Sequence, residues 1–85
     1  MRTVGFSPGG FDDFAHWIET DRKTAVRILK LLREIQRNSF EGSGKPEPLR
    51  HELRGAWSRR IDDEHRLIYE VTDETIKVLA YRYHY

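Results

Sequence analysis

Polar side chains suited to acid–base and phosphate chemistry are concentrated in the second half of this 85-residue sequence. The combination of glutamate, histidine and arginine suits the cleavage of RNA through its own 2′-hydroxyl. A carboxylate can remove the 2′-hydroxyl proton, an imidazolium can protonate the departing 5′-oxygen, and the planar guanidinium can hold the charged phosphorane. The candidates are Lys45, Glu47, Arg50, His51, Arg59, Arg60, His65, Arg66, His84 and Tyr85, with Arg82 as a basic neighbour of the last two.

Other catalytic chemistries lack the residues that they need. The sequence contains no cysteine, and none of its serines lies in a nucleophile-elbow motif such as G-x-S-x-G. The "GSG" at 42–44 lacks the strand–loop–helix context of a phosphate-binding loop. His51 and His65 do not have the spacing of zinc ligands. We therefore expect acid–base chemistry without a metal or other cofactor.

Each candidate, taken alone, also has an ordinary structural explanation. A histidine near a terminus is more often a surface residue, and an arginine in a hairpin usually pairs with an acid. Glu47 is more unusual because Pro46 and Pro48 restrict the backbone on both sides of it. The prolines could hold the carboxylate in one direction or simply keep a loop extended.

The charge is nearly balanced overall but clustered along the chain. Fifteen Lys and Arg residues oppose 14 Asp and Glu residues, yet Arg22–Arg37 contains six basic residues and one acid. This cluster fits a polyanion partner, and it equally fits a solvated helix face. No apolar run is long enough to span a membrane, and "MRTVGFSPGG" lacks the apolar segment of a signal peptide. We expect one cytoplasmic domain over residues 1–85, with no membrane partner.

The pattern of apolar residues predicts an α+β fold. Residues 2–6 are predicted to form a strand, Ser7 and Pro8 can begin a helix, and the segments 10–20 and 21–38 form a helical hairpin. The Gly- and Pro-rich segment 38–55 is predicted to be a long loop. Strands over 56–61, 65–72 and 75–83 form a meander, and the hairpin packs on a small antiparallel sheet that includes the N-terminal strand. The predicted helical core stripes are Phe11, Phe14, Trp17 and Ile18, and Ala25, Ile28, Leu29, Leu32 and Ile35.

The alternation within the predicted strands assigns side chains to two faces of the sheet. Trp57, Arg59 and Ile61 share one face, and Ser58 and Arg60 share the other. In the next strand, Leu67, Tyr69 and Val71 lie opposite to Arg66, Ile68 and Glu70. If the helices leave one face uncovered, basic and aromatic side chains can converge there as a surface for single-stranded nucleic acid.

Four motifs in the same order resemble the YoeB-type toxins of the RelE/ParE superfamily of toxin–antitoxin systems. They are "NSFEGSGKPEPLRHEL", "WSRRI", "EHRLIYEVTD" and the terminal "RYHY", and the resemblance covers essentially the whole chain. It implies two helices on a small antiparallel sheet. It also implies a ribosome-dependent endonuclease that cuts mRNA in the A site of the 70S ribosome and is inhibited by a YefM-like antitoxin. Members of this family can form homodimers.

The resemblance also implies a role for each matching residue. The catalytic carboxylate falls on Glu47, the phosphate-stabilising arginine on Arg66, and the catalytic histidine and aromatic residue on His84 and Tyr85. We assign further basic positions to RNA or ribosome contact, namely Lys45, Arg50, His51, Arg59, Arg60 and Arg82.

Two alternative functions and two departures from the family pattern accompany this resemblance. The superfamily also contains gyrase-poisoning members on the same fold, and an inactive relative could serve only to titrate an antitoxin. "SPGGFDDF" replaces a more polar helix start, which makes the first turn of the first helix doubtful. Glu70 stands where a small or apolar residue is expected, and it could affect the fit of an antitoxin.

Overall fold

The computed structural model describes the backbone of residues 1–83 and the side chains of residues 1–80. Two helices and five strands follow one another along the chain, with one short 3₁₀ turn. The elements are β1 (Thr3–Phe6), α1 (Pro8–Thr20), α2 (Arg22–Arg37), β2 (Glu47–Pro48), a 3₁₀ turn (His51–Leu53), β3 (Ala56–Arg60), β4 (Arg66–Val71) and β5 (Thr75–Tyr83).

The five strands form one mixed sheet in the order β1-β5-β4-β3-β2. The α+β prediction and the β3-β4-β5 meander are confirmed. Two details of the predicted sheet are wrong: β1 pairs parallel to β5, and the predicted loop contributes a two-residue edge strand, β2. Alternation of apolar residues indicates that a segment is a strand, but it does not indicate whether the neighbouring strand runs parallel or antiparallel. That direction depends on the path of the chain between β1 and β5.

The first helix begins at Pro8, so the doubtful first turn does form. The Ser7 side chain accepts a hydrogen bond from the Gly10 backbone N–H, as an N-cap does. Gly10 is buried against β5, and a Cβ atom built on it would lie 2.4 Å from the Val78 carbonyl oxygen. The glycine that weakens this turn in isolation is therefore what allows the helix to approach the sheet closely.

The second helix is capped by Asp21, whose carboxylate accepts from both the backbone N–H and the hydroxyl of Thr24. These bonds lower the pKa of Asp21. The helix buries one face against the sheet, and the buried residues are Ala25, Ile28, Leu31, Leu32 and Ile35. An apolar face at this spacing is the usual source of helix stability in a small domain.

Apolar side chains pack on both faces of the sheet. The larger cluster lies between the sheet and the helices and includes Trp17, Leu67, Tyr69, Ile76 and Val78. The smaller cluster consists of Leu49, Ala56 and Ile68, with Leu53 and Leu79 packed against it. The face that carries the smaller cluster, which we call the open face, is covered by the 45–55 segment only at one edge.

Several residues of the predicted helical core stripes are exposed. Trp17 is buried as expected, but Phe11 is 61% exposed, Ile18 47% and Leu29 41%. The spacing correctly places these residues on one side of each helix. Each stripe therefore extends beyond the part of the helix that packs against the sheet.

The uncovered residues form one continuous apolar surface, which we call the helix-pair surface. Phe6 contacts the rings of both Phe11 and Phe14. Phe14, Ile18, Ala25, Val26 and Leu29 line a shallow groove between the helices, and Arg22 stands at its edge. Within the described part of the chain, neither helix is both long and apolar enough to cross a bilayer.

Replacing Gly10 with alanine should lower the free energy of unfolding by about 1–3 kcal/mol, because the added methyl meets a backbone carbonyl that cannot easily move. Gly9 is the matched control, because a Cβ there would lie 3.7 Å from the Leu79 carbonyl oxygen, an ordinary contact. Gly9→Ala should be neutral or stabilising by up to about 1 kcal/mol. Urea unfolding measures both, and equal effects would contradict the close approach.

Candidate active site

Arg59 is completely buried, although the sequence pattern placed it among the RNA-contacting residues. Its side chain points to the helix side of the sheet, the face that it shares with Trp57 and Ile61. Its Nε donates to the hydroxyl of Tyr69 at 3.2 Å, and its Nη1 lies 3.5 Å from a carboxylate oxygen of Glu34. A guanidinium enclosed in this way cannot contact RNA, so the assignment of Arg59 to RNA contact is wrong.

The same guanidinium anchors the segment that leads from α2 to β2. It donates to three backbone carbonyls, those of Asn38 at 2.7 Å, Glu41 at 2.8 Å and Ser43 at 3.3 Å. Tyr69 adds a hydrogen bond from its hydroxyl to the carbonyl of Ser39 at 2.8 Å. Burial raises the pKa of Tyr69, so the hydroxyl remains a donor at neutral pH.

Glu34 completes the anchor from the helix side. One of its carboxylate oxygens accepts from the Ser43 backbone N–H at 2.9 Å, and this bond, aided by the charge of Arg59, lowers the pKa of Glu34. Gly42 passes so close that a Cβ there would lie 2.7 Å from Glu34 Oε1 and 2.9 Å from Arg59 Nη1. Gly42 also has a φ of 128°, which strongly favours glycine.

Glu47 lies in β2, at the edge of the sheet, and its side chain is exposed. Pro48 fits beside it because an edge strand can present to solvent the position that lacks an N–H. The prediction of a loop here was wrong because a strand of two residues, one of them Pro48, carries too little pattern to be recognised from the sequence. The prolines favour the extended backbone that pairs with β3.

The strand register brings the predicted site residues into two rows on the open face. Glu47 lies opposite Ser58, which lies opposite Ile68. In the neighbouring row, Arg60 lies opposite Arg66, which lies opposite Tyr83. Directly paired residues in an antiparallel sheet share a face, so Glu47, Arg60 and Arg66 project to the same side.

Glu47 and Arg66 are two strands and one row apart. Strand spacing and rise give a Cα separation on the order of 12 Å, which leaves room for one phosphodiester between the two side chains. Arg60 is exposed and Arg66 is half-buried. The arrangement can hold a phosphate against guanidinium groups with a carboxylate on one side.

Lys45, Arg50 and His51 are exposed around Glu47. Lys45 has a φ of 52° and His51 a φ of 58°, so both adopt the left-handed conformation that non-glycine residues seldom take. Left-handed residues are found at functional sites more often than elsewhere, because surrounding structure must hold them. Together, Lys45, Arg50 and His51 form a basic rim beside β2.

His65 is not part of this arrangement. Its Nδ1 lies 3.0 Å from a carboxylate oxygen of Asp62, and its ring packs edge-on against Trp17 with centroids 4.9 Å apart. Trp17 belongs to the cluster beneath the helices, so His65 is turned toward the helix side of the sheet.

The predicted residues at the end of the chain are only partly described. Arg82 lies within β5, whose backbone extends to Tyr83, while His84 and Tyr85 lie outside the described residues. Tyr83 is the strand partner of Arg66, so the described part of β5 ends beside Arg66.

Ser58 and Glu70 are two further residues of the open face. Strand alternation groups Ser58 with Arg60 on this face, although no motif in the sequence assigns Ser58 a functional role. It is completely buried directly opposite Glu47. Glu70 is exposed and lies opposite Ala56 and Lys77, in the row beyond Ser58.

A family model described as the YoeB-like toxin of bacterial type II toxin–antitoxin systems matches residues 6–85. The toxin YoeB of Mycobacterium bovis is 58% identical over 85 residues, which is the full length of both chains. Among solved structures, a YoeB dimer from Staphylococcus aureus superimposes with a TM-score of 0.93 at 45% identity, covering 99% of this chain and 98% of that one.

A second solved structure contains a partner. It is a YoeB–YefM complex, also from Staphylococcus aureus, with a TM-score of 0.90 at 43% identity, covering 100% of this chain and 99% of that one. The fold, the motif order and the full-length identity agree with one another.

Replacing Arg59 with methionine should lower the free energy of unfolding by about 3 kcal/mol or more. The change removes the charged donor to three backbone carbonyls and to the buried hydroxyl of Tyr69, and a hydrogen bond to a charged group contributes about 1.5–3 kcal/mol. Arg60→Met is the matched control, because Arg60 is exposed and adjacent in the same strand. Chemical denaturation compares the two, and a similar small loss in both would contradict the anchoring role.

Proposed function

Because the chain belongs to the YoeB-like toxin family of bacterial type II toxin–antitoxin systems, we propose that it is an endoribonuclease that cuts mRNA in the A site of the translating 70S ribosome. The observation that carries the proposal is that Glu47, Arg60 and Arg66 project from the same face of the sheet. Arg66 is paired with Tyr83, the residue that precedes His84 in the sequence. Cleavage of the message would stop translation in the cytoplasm.

Glu47 acts as the general base on the 2′-hydroxyl of the nucleotide before the scissile bond. The 2′-oxygen attacks phosphorus, and the bond from phosphorus to the 5′-oxygen breaks. Arg66 stabilises the negative charge that accumulates on the phosphorane. The exposure of Glu47 supports its role, because a carboxylate at the edge of the sheet is accessible to the 2′-hydroxyl of a bound message.

His84 acts as the general acid and gives its proton to the departing 5′-oxygen. An imidazole has an ordinary pKa near 6.5, so a protonated fraction is available at the pH of the cytoplasm. The products are a 2′,3′-cyclic phosphate and a 5′-hydroxyl, and the step requires neither a metal nor a cofactor. Tyr85 stacks on or orients the A-site base.

The basic rim, together with Arg60 and Arg82, supplies contacts that position RNA. Lys45, Arg50, His51, Arg60 and Arg82 contact the message or ribosomal RNA, and Arg59 is excluded because it is buried. A domain with so few polar groups on the open face depends on the ribosome to orient the message. Such positioning can lower a barrier by several kcal/mol, which accounts for ribosome dependence.

The partner of the free toxin is a YefM-like antitoxin with an acidic segment that covers the helix-pair surface. An apolar groove with Arg22 at its edge, continued by Lys23, Arg27 and Lys30, complements an amphipathic acidic segment in both polarity and charge. The YoeB–YefM complex of Staphylococcus aureus is the precedent for such a partner, and the YoeB dimer is the precedent for self-association.

Glu47→Gln and His84→Gln should each reduce A-site cleavage by about 10²–10⁴-fold, as expected for the loss of a general base or a general acid. Both variants should still sediment with ribosomes, because binding depends on the basic rim. Cleavage is mapped by primer extension in a defined translation reaction. Glu52→Gln is the matched control, because Glu52 is an exposed acid outside the two rows.

Two results would contradict the proposal. Undiminished cleavage by His84→Gln would contradict the assignment of His84 as the general acid. Equal cleavage of naked RNA and A-site message by the purified protein would contradict the proposed dependence on the ribosome. DNA damage signalling without a block in translation would instead favour the gyrase-directed alternative.

Val26→Glu should weaken antitoxin binding by about tenfold or more, because it places an acid in the apolar groove that the acidic segment must cover. Phe40→Glu is the matched control: Phe40 is 45% exposed and Val26 46%, but Phe40 lies outside the helix-pair surface, against Trp57. Calorimetric titration with the antitoxin measures both. Equal affinities for the two variants would place the antitoxin elsewhere.

A further inference from the structure

Ser58 is a buried polar residue in an apolar setting on the open face. Its side chain is completely buried, and its Oγ has no hydrogen-bond partner among the described residues. The apolar cluster on the same face surrounds it and contains Leu49, Ala56 and Ile68. Alanine would fill this position without leaving a donor unsatisfied.

A buried hydroxyl without a partner is unfavourable, and native proteins contain few of them. The other fully buried serine illustrates the usual arrangement. Ser39 donates to the Ile35 carbonyl at 2.7 Å and accepts from Arg2 at 3.1 Å. The unsatisfied hydroxyl of Ser58 therefore requires an explanation that the folded structure alone does not provide.

The register places an acidic residue beside Ser58. Glu47 lies directly opposite, on the same face, so the two Cβ atoms are about 4.5–5.5 Å apart. The Glu47 side chain is exposed, and its carboxylate makes no hydrogen bond among the described residues. A glutamate side chain is long enough to span this Cβ separation and to accept a hydrogen bond from a hydroxyl on the opposite residue.

We propose that Ser58 is a positioning residue for Glu47, donating a hydrogen bond to one carboxylate oxygen when RNA covers the open face. The inference rests on the proposed function, because it assigns a partner to the proposed general base. One oxygen held by Ser58 leaves the other directed at the 2′-hydroxyl. The bound RNA excludes water from the carboxylate, so the hydroxyl replaces a lost solvent hydrogen bond at the moment when the base must be oriented.

The hydrogen bond also changes the proton affinity of Glu47. A donor to the charged form of a carboxylate lowers its pKa, so Ser58 keeps the base ionised to lower pH. The cleavage rate rises as Glu47 loses its proton, and this ionisation defines the acidic limb of the pH–rate profile. Loss of the bond therefore moves that limb to higher pH.

Other charges around Glu47 set the baseline of this limb and remain in place when Ser58 is replaced. Arg60 and Arg66 lie in the row on one side, and Glu70 and Lys77 in the row on the other. The remaining charged or titratable groups, from β2 and its flanking segments, are Lys45, Arg50, His51, Glu52 and Arg54. His84, the proposed acid, governs the alkaline limb, so the two limbs are separable.

The test is Ser58→Ala in single-turnover cleavage of A-site message across a pH series, with thermal unfolding of the same protein. We expect cleavage at neutral pH to fall by about tenfold and the acidic limb to move up by about half to one pH unit. The melting temperature should be unchanged or raised by a few degrees, because an unsatisfied buried donor is removed.

Ser39→Ala is the matched control, because it removes a buried hydroxyl that is satisfied and remote from Glu47. It should lower the melting temperature and leave the acidic limb where it is in the wild-type protein. This pair separates a role in positioning the base from a general effect of truncating a buried serine.

Each remaining result has a defined meaning. If the wild-type protein cleaves the message and Ser58→Ala has the same cleavage rate and the same acidic limb, the inference is overturned and the proposed function stands. A lower rate with an unmoved acidic limb also overturns it, because it indicates a purely structural effect. A wild-type protein that cleaves no message overturns the proposed function itself, and with it the role of Ser58.

Discussion

The buried guanidinium of Arg59 is the interaction on which the candidate site depends. It joins the sheet, through Tyr69, to the carbonyls of the segment that leaves α2, and Glu34 adds a carboxylate from the helix. This anchoring sets the path by which the chain reaches β2, and so where Glu47 can project. A buried cation is tolerated here because it is enclosed by oxygen atoms rather than left unpaired.

Two opposite environments meet across the thin sheet. The helix side is closed by apolar packing and holds Arg59, whereas the open face carries Arg60 and Arg66 toward solvent. Adjacent arginines in β3 consequently have unrelated roles, one in the anchor and one in the proposed RNA contact. Period-two geometry separates them, and burial decides which of the two can meet a polyanion.

The sequence predicted most of the fold because its signals are local. Ser7 caps the first helix where the sequence placed its start, and strand alternation assigned Arg59 and Ser58 to opposite faces. It missed the parallel pairing of β1 and the edge strand at Glu47, because both depend on contacts with distant segments. It also overestimated the core, because spacing along a helix does not show how much of an apolar stripe is packed: Phe11 and Leu29 are exposed.

The sequence by itself determined the types of chemistry that are available and the order of the motifs that carry them. It contains a carboxylate between prolines, arginines in alternating strands and a terminal histidine and tyrosine. Only the tertiary structure decided which of these residues meet. The register pairs Glu47 with Ser58 and Arg66 with Tyr83, and the packing of the sheet against the helices leaves Arg59 fully buried. Pairing register and solvent exposure are properties of the whole packed sheet, so no single motif could encode them.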